Sequence, residues 1–143
     1  MIQRLTINLC ILLLLFFSTA SESQASKDLT KEGANHLLAS GKFKPVSSKK
    51  DIPKLWWPTM NLEGVSDIGG AFSAGCTGNE PHRRLLLASV SEPYALSLTE
   101  QGGIAYFVEF KIYKHEENSF RQIYFEQVRE PRIKEIRQKL GVK

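Results

Sequence analysis

The sequence predicts an α+β fold: an antiparallel, curved meander sheet of four or five strands, packed with an N-terminal and a C-terminal helix, after a cleaved signal peptide. Three observations carry this. Residues 83–128 hold runs that alternate between apolar and polar side chains, separated by turn residues. Both ends of the remaining chain carry apolar positions at helical spacing. The first residues form a short apolar run followed by small residues.

The leader comes first. Arg4 is its basic residue, and residues 9–17 read Leu-Cys-Ile-Leu-Leu-Leu-Leu-Phe-Phe without a polar side chain. A membrane-crossing helix needs roughly 20 apolar residues, and this run is shorter. It has the length of a secretory signal core. Ser18-Thr19-Ala20 and Ser23-Gln24-Ala25 each place small residues where a signal peptidase requires them, so cleavage is expected after Ala20 or Ala25. The expected organisation is a signal peptide over 1–25 and one globular domain over 26–143.

Residues 26–40 read as a helix. Ser26 or Asp28 can cap it, Leu29, Ala34, Leu37 and Leu38 can bury, and Gly41 stands where a stop belongs. Residues 43–63 read as irregular, because Pro45, Pro53 and Pro58 each lack a backbone donor. This stretch nevertheless holds Leu55, Trp56, Trp57 and Met60, which it must bury or present to a partner. Residues 65–76 are expected as a glycine-interrupted first strand, and residues 77–81 as a turn.

The second half has sharper signals. Residues 83–91 form a strand apolar on both faces, and Glu92-Pro93 ends it. Residues 94–99 alternate. Gln101-Gly102-Gly103 has the composition of a hairpin turn. Over residues 104–114, Tyr106, Val108, Phe110 and Ile112 share one face, while Phe107, Glu109, Lys111 and Tyr113 share the solvent face. Residues 115–119 turn, and residues 120–128 return. A last helix opens at Pro131, whose missing N–H is harmless in a first turn. Its apolar stripe is Ile133, Ile136 and Leu140, with Arg137 and Lys139 at its negative end.

Charge is uneven. The formal net charge is +4. Lys42, Lys44, Lys49, Lys50 and Lys54 face only Asp51, whereas residues 55–128 hold five basic and nine acidic side chains. Residues 129–143 hold six basic and two acidic. The two basic ends suit an acidic protein surface or an anionic membrane surface.

Few residues suggest chemistry. After the leader the only cysteine is Cys76, which excludes a disulfide scaffold within the chain. Cys76 lies between glycines with His82 close behind, the raw material of an activated thiol. A buried structural role and a Cys76-linked dimer are the alternatives. No short-spaced ligand pair suggests zinc, and no glycine-rich loop suggests a nucleotide. No cofactor is expected. Glu109 and Glu126 read as a solvent-face ion-pair ladder. The exported chain is not expected to bind nucleic acid. The expected function is a periplasmic or extracellular, non-enzymatic binding protein: an inhibitor, immunity factor or envelope-assembly component. Its expected surface is Trp56, Trp57, Phe107, Tyr113, Arg132 and Arg137, because aromatic and arginine side chains dominate binding hot spots. The alternative is a small secreted thiol-dependent hydrolase using Cys76 and His82.

Overall fold

The alternating runs between residues 83 and 128 become four long strands, because each has one set of side chains to bury on each face. The computed structural model describes residues 28–117 and 119–143; the expected leader lies outside them. Five antiparallel strands follow one another in sheet order: β1 (Lys44–Pro45), β2 (Arg83–Ser91), β3 (Tyr94–Gln101), β4 (Phe107–Glu116) and β5 (Ser119–Val128). Helix α1 (Lys31–Ala39) precedes the sheet and α3 (Glu130–Lys139) follows it. The α+β meander with terminal helices is thus present, and the sheet is not closed. Among the described residues no helix is long and apolar enough to cross a membrane.

The first helix starts later than expected. Thr30, not Asp28, caps it, its hydroxyl accepting from the Gly33 N–H at 3.1 Å, and Ser26 lies outside the described residues. Asp28 sits 3.8 Å from Arg121 instead. Ala34 and Leu38 of α1 and Ile133 and Ile136 of α3 bury on one face of the sheet, against Leu96, Leu98, Val108, Phe110 and Ile112. Two bulges help this packing. β2 has one extra residue, Leu86, between Leu85 and Leu87, and β5 has one, Ile123, between Gln122 and Tyr124. Each bulge turns two neighbouring side chains toward the helices: Leu86 with Leu87, and Ile123 with Tyr124.

Glu126 joins both helices to the sheet. Its carboxylate lies 3.1 Å from Lys31 of α1 and 3.3 Å from Arg132 of α3, and accepts from the Tyr124 hydroxyl at 2.9 Å. Burial opposes its charge, but Tyr124, Lys31 and Arg132 outweigh that and hold the carboxyl below its ordinary range. The expected Glu109–Glu126 ladder therefore does not form. The two carboxylates point to opposite faces, and Glu109 pairs with Lys111 at 2.6 Å.

The opposite face also has a core, which the sequence reading did not expect. Two single-turn 3-10 segments (Lys49–Asp51, Lys54–Trp56) and a one-turn helix α2 (Trp57–Met60) fold across it. Ile52, Trp56, Met60, Leu62 and Val65 meet Leu85, Ala88, Ala95 and Tyr113 there. Residues 65–76 do not form a strand. Their backbone meets the sheet in one isolated parallel bridge, from Ser66 to Arg84. Asp67 turns the chain away, accepting from Ser48 Oγ at 2.5 Å and from the N–H groups of Lys49 and Ile68 at 2.6 and 2.7 Å. Those bonds outweigh the opposing effect of burial and keep its carboxyl below the usual range.

Candidate functional site

Most of the expected binding residues are buried or bonded within the chain. Trp56 is 4% exposed and stacks on Phe120, with ring centroids 4.6 Å apart. Tyr113, expected on a solvent face, is 1% exposed, because the 46–68 segment covers that half of the sheet. It stacks on Phe120 at 5.6 Å, and its hydroxyl donates to the Met60 carbonyl at 3.4 Å. Burial pushes the Tyr113 phenol up to about 12. Trp57 is half-buried, its indole N–H donating to the Ile52 carbonyl at 3.1 Å. Lys49 lies 4.8 Å over its ring and donates to the Val65 carbonyl at 2.5 Å, so this lysine is withdrawn from the basic patch.

Of the two C-terminal arginines in the expected surface, Arg132 is engaged. Arg132 pairs with Glu126 and, at 2.8 Å, with Glu135. Glu135, bridged to Lys139 as well, falls to about 2 under Lys139 and Arg132. Arg137 is half-buried in α3, with no partner for its Nε. Trp56, Trp57, Tyr113, Arg132 and Arg137 therefore form no common surface. Phe107, half-buried at the start of β4, is the one of the six beside an open cleft.

Cys76 is exposed in the long loop between α2 and β2. The His82 Nδ1 lies 3.2 Å from the Ser73 carbonyl, so the histidine is tied to the loop backbone. No described hydrogen bond joins it to the thiol. Among the described residues no three His, Cys, Asp or Glu side chains converge as metal ligands.

A different feature stands out at the end of the sheet where β3 passes to β4. The expected tight hairpin is a longer loop, residues 102–106, because β3 runs through Gln101 and β4 starts only at Phe107. Ile104 and Tyr106 are consequently lifted off the sheet, 100% and 58% exposed. The loop is nevertheless firmly held. Gly102 donates to the His82 carbonyl at 2.8 Å and Gly103 to the Ala74 carbonyl at 3.1 Å. A Cβ on Gly102 would stand 2.3 Å from the Ser73 carbonyl oxygen, so the two loops touch backbone to backbone. Gly103 has φ +106°, which an L side chain rarely adopts.

Tyr106 has its own support. Its hydroxyl donates to Glu100 Oε2 at 3.1 Å. Glu100 is 4% exposed and accepts from Arg84 Nε at 2.5 Å. Arg84 also donates to the Gly70 carbonyl at 2.9 Å and lies 5.0 Å from the Phe72 ring, which meets Tyr106 edge-on at 6.3 Å. Burial and the Glu100 carboxylate both raise the Tyr106 phenol. Beside this strut opens a cleft of about 510 Å³, lined by Tyr106, Phe107, Val108, Val128 and Ile133 together with the polar side chains of Gln127, Arg129 and Glu130. That volume is within the range of pockets that take a small ligand or one large side chain.

The sequence reading missed Ile104, Tyr106, Glu100 and Arg84. One signal was available: Glu100 follows Leu96 and Leu98 at strand period, so a carboxylate was due on a buried face. Family models, curated proteins and solved structures were compared with the chain, and none matches.

Proposed function

We propose that this chain is an exported, non-enzymatic binding protein that recognises another protein through Ile104, Tyr106 and the adjoining cleft. One observation carries the reading: two large apolar side chains are presented outward on a loop that is fixed from behind. An exposed isoleucine on a mobile loop would be unremarkable. Here the loop is pinned by two main-chain hydrogen bonds, and Tyr106 rests on the Arg84–Glu100 ion pair, whose carboxylate is buried. A preordered loop loses little entropy on binding, so the apolar area that it buries goes into affinity. Export is the contribution of the leader's composition. The thiol-hydrolase alternative gains no observation, since the described contact of His82 goes to the loop backbone.

The test is site-specific photocrosslinking in the native host, with a benzophenone side chain at position 104 and, as control, at exposed position 55. A discrete protein adduct from position 104, absent from position 55 and lost with Tyr106→Ala, is the expected result. Adducts from position 55 alone, or adducts at 104 that ignore Tyr106→Ala, would overturn the reading.

A further inference from the structure

We infer that the partner contributes an extended segment that adds to the outer edge of β5 along residues 124–128 and places a large apolar side chain in the Tyr106 cleft. This rests on the cleft reading above and adds to it the conformation of the partner.

The two edges of the sheet differ. An edge strand exposes main-chain donors and acceptors that will pair with any suitable strand unless something prevents it. The β1 edge is protected. It is two residues long, Pro45 has no N–H to offer, Lys44 within it is exposed and so is Lys42 just before it. The β5 edge is ten residues long. Leu29 closes it at one point, its N–H donating to the Ile123 carbonyl at 2.7 Å. From residue 124 onward the strand reads Tyr-Phe-Glu-Gln-Val, with no proline, glycine or lysine. The lone charge, Glu126, is turned to the helices and neutralised there by Lys31 and Arg132. Among the described residues, no backbone hydrogen bond outside the sheet reaches 124–128.

Side chains on this stretch suit an added strand. Phe125 is 46% exposed with the Lys111 ammonium 5.5 Å from its ring, so a strand laid beside it gains an aromatic neighbour. The stretch runs about 17 Å and ends at Gln127 and Val128, which line the cleft. Main-chain pairing would supply affinity and the cleft would select a side chain, as in other strand-addition recognition.

The test starts from a displayed library of random peptides about twelve residues long, enough to span the stretch and reach the cleft, selected against the whole protein. Enriched peptides should carry large apolar residues at alternate positions and slow amide exchange at residues 124–128. The double variant Phe125→Lys/Gln127→Lys, both at exposed positions, should weaken them about tenfold or more, as edge lysines do in natural sheets. If that variant fails to fold, N-methylating alternate peptide amides, which leaves every side chain in place, should abolish binding to the unaltered protein. Peptides that need Tyr106 but leave residues 124–128 unprotected would overturn the strand addition and keep the cleft. Peptides indifferent to both Tyr106→Ala and the lysine pair would overturn both, and so would an empty selection. A dimer in sedimentation that the lysine pair dissolves would give the edge to a second copy and overturn the inference.

Discussion

Residues 46–68 and residues 102–106 invert what their compositions suggest. The first segment has two adjacent tryptophans among prolines and reads as a recognition loop. It buries Trp56 and fastens Trp57. The second has a glycine pair and reads as a minimal hairpin. It presents Ile104 and Tyr106 to solvent. The difference lies in what stands behind each. The 46–68 segment faces Leu85, Ala88, Ala95 and Tyr113, an apolar sheet surface that no other described element covers. Burial there is favourable at about 25 cal/mol per Å². The 102–106 loop faces another loop's backbone, with no apolar surface left for Ile104.

The largest effect expected from this contrast is on stability. Trp56→Ala removes a side chain stacked on Phe120 and touching the Ile52–Val65 core. It should lower the unfolding free energy by about 3–5 kcal/mol in urea titration. Partner binding per folded molecule should be unchanged. A Trp56→Ala protein of normal stability that loses its partner would reverse the roles of the two segments.

Alkali should reveal the same buried region. The unfolded Tyr113 phenol ionises near pH 10, whereas in the folded chain it is raised to about 12. The neutral phenol's contribution is fully present below pH 10 and is lost as pH rises from 10 through 12. Two units correspond to roughly 2–3 kcal/mol. Tyr124, raised likewise to about 12 by burial and by the Glu126 carboxylate, titrates in the same window. Tyr113→Phe should therefore remove only part of the fall in stability as pH rises from about 10 to about 12. If Tyr113→Phe leaves the fall untouched, the 46–68 segment does not seal that face.

The sheet was legible because its signal is local: an apolar run on β2, period-two alternation on β3 to β5, and Pro131 with the apolar stripe on α3. The second core was not legible. Alternation assigns Tyr113 to the face away from Phe110, but it cannot say whether another segment covers that face. Here the cover is an irregular stretch held by Asp67 and by single helical turns, neither of which has a period. The bulges at Leu86 and Ile123 are silent for the same reason, since one extra apolar residue in an apolar run changes no pattern. At the candidate site, Phe107 was found through its alternation with Val108. Ile104 and Tyr106 were absorbed into the strand that follows, because the alternation continues past the point where pairing stops. Pairing stops at Gln101 and Phe107, and Gly102 then lies against Ser73 and Ala74, a contact far away in sequence that no period announces.

That contact is the next place to test the contrast. Gly102→Ala drives a methyl group against the Ser73 carbonyl and the Ala74 Cα, both backbone atoms. The two loops must separate, at about 1–2 kcal/mol. Amide exchange at residues 103–106 should rise, and binding at the cleft should weaken because the loop is no longer preordered. Unchanged exchange in this variant would mean that the loop is held without the glycine contact.

The smallest effect on stability should accompany the largest effect on binding. Ile104 is fully exposed, and a substitution at such a site shifts stability by about 0.5 kcal/mol or less. Ile104→Ser should therefore melt like the parent protein. Its position at the tip of a pinned loop makes it a candidate anchor, and truncating an anchor of this kind typically costs about 2 kcal/mol or more of binding. The crosslinked partner, or the selected peptide, should thus bind roughly 30-fold more weakly by titration calorimetry, since 1.4 kcal/mol is about tenfold. Leu55→Ser is the matched control at an 84% exposed leucine on the other segment. Equal losses at the two positions would mean that apolar exposure alone governs binding, and the rigid support behind residues 102–106 would then have no functional meaning. Loss at Ile104 alone ties recognition to the loop whose backbone is fixed.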